Sequence, residues 1–263
     1  RSLCGRIRWG QNQSPYWAIF SGAADLYVTI RTRLPKYWLL CFNKDDLHMR
    51  IVKLTKANHV KVLSLLERIL RSGGVAVVPT DTVYGMVGDA TSPEVIRKIF
   101  VMKQRPEERA LPVFVKDIAA APKYAYISDV KAKFLERVWP GPVTAVFQHK
   151  EKLPAILTGS RNTMGVRVPN HPLLLELLPR FEAPLVQTSA NISSLPSAKT
   201  IKQAALYFKD LKVRPDLMID CGTLESKPST VVDFTRDEPI ILRTGLVSRA
   251  ELDRLLEFVQ ESR

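Results

Sequence analysis

Nowhere in the 263 residues is there a run approaching the roughly 18 consecutive apolar residues of a membrane-spanning helix. Cysteine is scarce. Cys4, Cys41 and Cys221 show no C-x-x-C spacing, which argues against a zinc site and against a disulfide framework. Of four histidines, His59, His149 and His171 stand apart without the i, i+4 spacing of metal ligands. They read as surface or capping residues, and His48 falls outside the expected domain. There is no G-x-S-x-G, H-E-x-x-H, Walker or G-x-G-x-x-G pattern, and no Ser/His/Asp or Cys/His set. What remains is chemistry by positioning and charge neutralisation rather than by a nucleophilic side chain. No internal repeat or low-complexity linker interrupts the chain, which reads as a soluble cytoplasmic protein.

A hydrophobic content of 46% is ample for a core, and the net charge of +13 favours polyanionic company such as nucleotides, tRNA or phosphate esters. Residues 1–48 differ from the rest. They hold Trp9, Trp17 and Trp38 and two of the three cysteines, with no sustained period. They lack the ordered regions of a secretory signal, and Asp25, Asp45 and Asp46 weigh against a transit peptide. The expectation is that Met49 begins the domain, 49–263, and that 1–48 is upstream or leader sequence outside the family. With seven bases and three acids in that segment, the domain keeps +13 − 4 = +9.

The domain is organised around Gly73-Gly74-Val75-Ala76-Val77-Val78-Pro79-Thr80-Asp81-Thr82-Val83-Tyr84-Gly85. A glycine pair ends a helix, a β-branched run follows as a buried strand, and Pro79 stops it before a turn rich in hydroxyls. The plain alternative is a helix–strand–turn unit with no ligand. Apolar spacing and caps predict helices over 58–71, 92–102, 128–139, 171–178, 200–208 and 249–260. Strands are predicted over 75–78, 111–115, 143–148, 165–169, 185–188, 217–220, 231–234 and 240–243. The alternation predicts an α/β fold, one domain with a mixed parallel/antiparallel sheet and flanking helices.

Candidate polar residues gather at the predicted strand ends, where open α/β sheets place ligands. Lys103, Arg105 and Arg109 form a cationic cluster just after a helix, suited to phosphate, or alternatively a solvated helix end. Arg167 alternates with apolar neighbours and points into a cleft or a buried pair; Arg243 ends another apolar strand. Together these suggest a ligand with several anionic groups, such as a triphosphate beside a carboxylate. Ser189-Ala190-Asn191 and Ser229-Thr230 suit a small polar substrate, or serve as turn and strand-entry motifs.

Six ordered blocks carry a resemblance. Pro79 to Gly85, Lys103-x-Arg105, Gly165-Val166-Arg167-Val168-Pro169, Ser189-x-Asn191, Pro228-Ser229-Thr230-Val231-Val232-Asp233 and Leu242-Arg243-x-Gly245 resemble the YrdC/TsaC family of threonylcarbamoyl-AMP synthases. The resemblance covers about 51–245. It implies a twisted mixed sheet around a concave basic cavity, with ATP, L-threonine and bicarbonate as substrates and Mg²⁺ accompanying ATP. No metal ligand from the protein is implied. The product, threonylcarbamoyl-AMP, would serve tRNA modification through a partner transferase complex. By the same resemblance, Thr82, Arg167, Ser189 and Ser229 would hold threonine. Lys103, Arg105, Arg109, Thr163, Asn191, Lys199 and Arg243 would hold ATP, with Lys103 and Arg105 catalytic. The hydroxyls of Thr82 and Ser229 would suit a small polar amino acid, and serine, lacking only a methyl, would be rejected by just ~1–3 kcal/mol.

The chain departs from the family pattern at Arg109, where many members carry Lys, and at Phe114, where some carry His. It ends 263 − 245 = 18 residues after Gly245, the expectation for a short, single-domain member. Carbamoyl transfer in hydrogenase maturation would need further domains. The alternative of a different class is a module of the same fold that binds double-stranded RNA or rRNA and makes no adenylate. Shape-based RNA binding needs basic charge but no Ser-x-Asn, so the full residue set favours the enzyme.

Overall fold

A computed structural model describes residues 49–236 and 238–261. The expectations for 1–48 lie outside the described residues. In chain order the elements are β1 (Arg50–Lys53), α1 (His59–Arg71), β2 (Ala76–Val78), β3 (Gly85–Asp89), α2 (Pro93–Lys103), β4 (Val113–Phe114), α3 (Asp129–Val138) and β5 (Val143–Gln148). Then come β6 (Thr163–Arg167), α4 (Pro172–Phe181), β7 (Leu185–Ser189), α5 (Ile201–Phe208), β8 (Leu217–Asp220), β9 (Thr230–Asp233), β10 (Ile240–Arg243) and α6 (Arg249–Glu261).

The strands make one mixed sheet in the order β1-β8-β2-β3-β7-β4-β6-β5-β9-β10. Four neighbouring pairs are parallel (β1 with β8, β2 with β8, β4 with β6, β5 with β9) and the other five antiparallel. The predicted α/β fold with a mixed sheet and flanking helices is what forms. No helix among the described residues is long and apolar enough to cross a membrane.

The helices follow from local sequence. In α1 the buried stripe is Val62, Leu63, Leu66 and Leu70, spaced for one face. The Ser92 hydroxyl accepts the Val95 N–H at the start of α2, with Pro93 in the first turn. Ser128 precedes α3 as expected, but its side chain makes no capping bond.

The clearest difference from the predicted elements is β3. After the Thr80–Thr82 turn the chain folds straight back, pairing Val78 with Gly85 and Ala76 with Val87. Gly85-Met86-Val87-Gly88-Asp89 carries two glycines and reads poorly as a strand. Packing decides it. A Cβ on Gly88 would lie 2.4 Å from Val95 Cγ1, so a bare backbone there lets α2 close on the sheet.

Two apolar layers sandwich the sheet. On one face α1 and α4 pack on Ala76, Val78, Val87, Phe114, Leu217 and Ile219. On the other, α2, α3, α5 and α6 join a core that includes Val113, Val143, Ala145, Phe147, Val166 and Val232. The first layer takes no residue from β5, β6, β9 or β10. Over those strands its face is left without a helix.

Candidate active site

That uncovered face is the floor of a cavity of about 530 Å³. Successive strand residues point to opposite faces, so the floor takes every second position. Thr144 and Val146 come from β5, Thr163, Gly165 and Arg167 from β6, and Gln187 and Ser189 from β7, where Thr188 between them also reaches the lining. Val231 and Asp233 come from β9. Their neighbours Ala145, Val166, Val186 and Val232 belong to the core beneath. The register agrees, with Val146 opposite both Gly165 and Asp233. The candidate polar residues do gather at strand ends: Arg167, Ser189 and Arg243 close β6, β7 and β10, and Ser229 directly precedes β9. What the expectation lacked is the stretch of sheet face between them, which adds Thr144, Val146, Gly165 and Gln187 to the site.

At one wall the Thr80–Thr82 turn meets Arg167. The Thr80 hydroxyl donates to Val83 O at 2.7 Å and accepts the Thr82 N–H at 3.0 Å. With that proton committed, the 2.9 Å contact between the two hydroxyls must have Thr82 as donor. Thr82 Oγ1 is left as an acceptor, and Arg167 Nη1 donates to it at 3.4 Å. The guanidinium also donates from Nε to Gly141 O at 2.8 Å and from Nη2 to Asp81 Oδ1 at 2.6 Å. Its carbon lies 5.6 Å from the centre of the Phe114 ring. Burial pulls the Arg167 pKa down and the Asp81 carboxylate pushes it back up. Of the two readings open for Arg167, the buried pair and the cleft, both describe it: it is 2% exposed and lines the cavity.

Opposite, α2 stops where Gln104 adopts a left-handed φ of 47°, and Lys103 is left 2% exposed. Its ammonium donates to Ser189 O at 2.8 Å, Asn191 O at 2.9 Å and Asn191 Oδ1 at 2.9 Å. Those three bonds use all three protons. Burial, with Arg105 adding to it, pulls the Lys103 pKa down to about 7. The Ser189 hydroxyl donates to Asn191 Oδ1 at 2.6 Å, and Asn191 Nδ2 donates to Leu195 O. The segment after Asn191 thus stays against the site, placing Ser193, Ser194 and Ser197 on the lining.

Arg105 braces its own loop, donating from Nε to Arg109 O at 3.1 Å and from Nη2 to Ala110 O at 3.0 Å. Burial first, then Arg109 and Arg161, hold its pKa below the ordinary arginine value. Arg161 joins this cluster through Gly159. At φ +57°, a Cβ on Gly159 would sit 2.6 Å from Glu107 O, so glycine lets the two loops touch. At the far side Arg243 donates from Nη2 to Ser229 O at 2.8 Å and to Ser229 Oγ at 3.2 Å. The Ser229 and Thr144 hydroxyls lie 3.0 Å apart.

The cavity brings together Thr82, Arg167, Ser189 and Ser229 of the expected threonine set. It also brings together Lys103, Arg105, Arg109, Thr163, Asn191 and Arg243 of the expected ATP set. Lys199 is placed elsewhere. It is off the lining, in an exposed ion pair of 2.8 Å with Glu225. Its backbone N–H instead binds Gln203 at the start of α5. Phe114 sits under Arg167, so the position that differs from some family members touches the site through a ring face. Sequence reasoning missed Thr144, Arg161, Gln187 and Asp233. Alternation along the strands would have flagged Thr144, two residues before Val146. Six cationic side chains line the cavity against one carboxylate, Asp233. The three described histidines are capping and surface groups: His171 accepts the Leu173 N–H, His149 bonds Arg161 O, and His59 pairs with Glu176.

A sequence model of the Sua5/YciO/YrdC family, described as "Telomere recombination", matches residues 68–245. The chain belongs to this family. A protein of Methanocaldococcus jannaschii named putative threonylcarbamoyl-AMP synthase is 31% identical over 207 residues, covering 78% of this chain and 96% of that one. The Mus musculus threonylcarbamoyl-AMP synthase is 35% identical over 173 residues, 63% of this chain and 60% of its own. Pyrococcus abyssi Sua5, solved in complex with L-threonine, superposes with a TM-score of 0.72 at 29% identity, covering 79% of this chain and 60% of that one. The chain thus spans nearly all of the first relative and about three-fifths of the other two. Escherichia coli YciO, at 24% identity and a TM-score of 0.68, shares the fold.

Proposed function

We propose that the protein makes threonylcarbamoyl-AMP from ATP, L-threonine and bicarbonate, releasing pyrophosphate. One observation carries the reading. Residues from all six sequence blocks, spread from Thr82 to Arg243, line a single cavity that is strongly cationic. The volume of about 530 Å³ falls within the range of small-molecule sites. The relatives named as synthases, and the threonine complex of one family member, support the same chemistry.

Threonine lies along the Thr82, Arg167, Ser189 and Ser229 side, its carboxylate received by Arg167. Bicarbonate loses a C–O bond to give CO₂ and hydroxide. The neutral amine of threonine attacks the CO₂ carbon, and the N–C bond forms as one C=O π bond opens to the carbamate oxygen. The amine proton passes to the hydroxide, which leaves as water. The carbamate oxygen then attacks the α-phosphorus in line; an O–P bond forms, the bond to the bridging oxygen breaks, and pyrophosphate leaves. Each step brings anions together, so aligned cationic donors lower the barrier by holding them in place. Arg105, Arg109, Arg161 and Arg243 receive phosphates in this reading, while Lys103 adds charge and fixes the Ser189–Asn191 turn.

Among the described residues no group of three or more His, Cys, Asp or Glu could hold a metal ion. Mg²⁺ is assigned to the phosphates of ATP on the family resemblance, and there it would neutralise the leaving group. The product is assigned to tRNA modification by a partner transferase complex.

The test is pyrophosphate release by the full chain with MgATP, omitting L-threonine and bicarbonate in turn. Release that needs both is expected. Release independent of threonine, or none, would overturn the reading.

A further inference from the structure

Asp81 is outside both substrate sets, yet it makes the shortest ion pair among the described residues, 2.6 Å to Arg167. The two side chains are 11% and 2% exposed. Its second oxygen, Oδ2, is buried without any hydrogen-bond partner. A buried pair with an orphaned carboxylate oxygen is a poor source of stability, because desolvation offsets the attraction. Its value must lie in geometry.

We propose that Asp81 is a positioning residue that fixes the Arg167 guanidinium to receive the substrate carboxylate. The inference rests on the threonine reading above. A guanidinium has five N–H donors, and three are spent here, on Gly141 O, Thr82 Oγ1 and Asp81 Oδ1. Gly141 holds Nε, Phe114 lies against the guanidinium, and Asp81 holds Nη2. One donor on each Nη is left for a ligand. Asp81 stands between Thr80 and Thr82, so a single turn orients both the Arg167 fork and the Thr82 hydroxyl that would meet the same substrate.

The charge argument gives the test its sign. Asp81 cancels the charge of Arg167, so if net charge alone governed binding, Asp81→Asn would improve capture of a carboxylate. Positioning predicts the opposite. The experiment measures pyrophosphate release and melting of wild type, Asp81→Asn, Asp81→Glu, Arg167→Lys and the Asp81→Asn/Arg167→Lys double variant.

Asp81→Asn should raise the threonine KM about tenfold and leave the ATP KM within about twofold. In the Arg167→Lys background it should add less than about twofold, because its partner's fork is already gone. Asp81→Glu, which keeps the charge, should fall between wild type and Asp81→Asn, and serves if Asp81→Asn does not fold. An unchanged or lower threonine KM, equal rises in both KM values, or additive effects in the double variant would overturn the proposal. Threonine-independent release by wild type would instead overturn the underlying reading.

Discussion

Replacing Lys103 with Met should separate activity from stability, and the sign of the pH dependence can be worked from the structure. The substitution removes three hydrogen bonds from a side chain that is 2% exposed. Two of the acceptors keep another donor. Ser189 O still receives the Asn191 N–H at 2.9 Å, and Asn191 Oδ1 still receives the Ser189 hydroxyl. Only Asn191 O is left bare, at a cost of about 1–3 kcal/mol. Against that, Met removes a buried ammonium whose pKa is drawn from 10.5 to about 7. In the unfolded chain the lysine holds its proton up to about pH 10.4. Between the two pKa values the unfolded state binds more protons, so this group makes wild-type stability rise with pH, by about 1.4 kcal/mol per unit at most. Denaturant unfolding of wild type and Lys103→Met at pH 7 and pH 9 should therefore give a difference that moves about 2 kcal/mol in favour of wild type at the higher pH. Near pH 7 the two should lie within about 2 kcal/mol while adenylate formation collapses in the variant. Parallel stability curves would show that the three carbonyls outweigh burial and keep the ammonium charged. Near-normal turnover would remove Lys103 from the site.

Two further substitutions test the placement of the loops. Lys199→Ala removes an exposed pair with Glu225 that lies off the cavity lining, so the ATP KM should stay within about twofold. A tenfold rise measured by pyrophosphate release would mean that Lys199 reaches the nucleotide after all. Ser194 lines the cavity with a left-handed φ of 74°, so Ser194→Gly should raise unfolding free energy by about 1 kcal/mol through relief of strain. A fall in denaturant midpoint would refute that account.

The parts of the fold legible in the sequence are those set by local chemistry. Val143–Gln148 reads as a strand from its β-branched and apolar run, with Val143, Ala145 and Phe147 in the core and Thr144 and Val146 on the cavity, and Ser92-Pro93 fixes the start of α2 without help from anything distant. The β4 region shows the limit. Its apolar run suggested five residues, but only Val113 and Phe114 pair as strand, while Leu111 and Val115 spend their N–H groups on Leu157 O and Arg167 O. Those partners are tertiary, and no period announces them. The same holds in the site. Asp81 stood inside the motif that organises the domain, but its role depends on Arg167, 86 residues away. Arg161 reads as an ordinary loop cation until Gly159 brings its loop against Glu107 and Glu108. Residue types announced a cationic pocket; strand pairing for Arg167 and Arg243, and loop contacts for the others, decided which cations share it.

The six cations divide by what their protons do. Lys103 and Arg167 are each 2% exposed, and protein atoms take three of three donors in one and three of five in the other. Arg243 commits Nε and Nη2 to Ser229, Arg105 commits two donors to its own loop, and the side chains of Arg109 and Arg161 have no acceptor among the described residues. An incoming triphosphate therefore finds directed donors on the exposed arginines and only a field from Lys103. Removing a free arginine should cost phosphate contacts directly. Removing Lys103 should act through the Ser189–Asn191 turn it staples, loosening Ser189 toward threonine and Asn191 toward ATP together. A loss of Arg105 that falls on ATP alone, beside a loss of Lys103 that falls on both substrates, is the kinetic pattern this division requires.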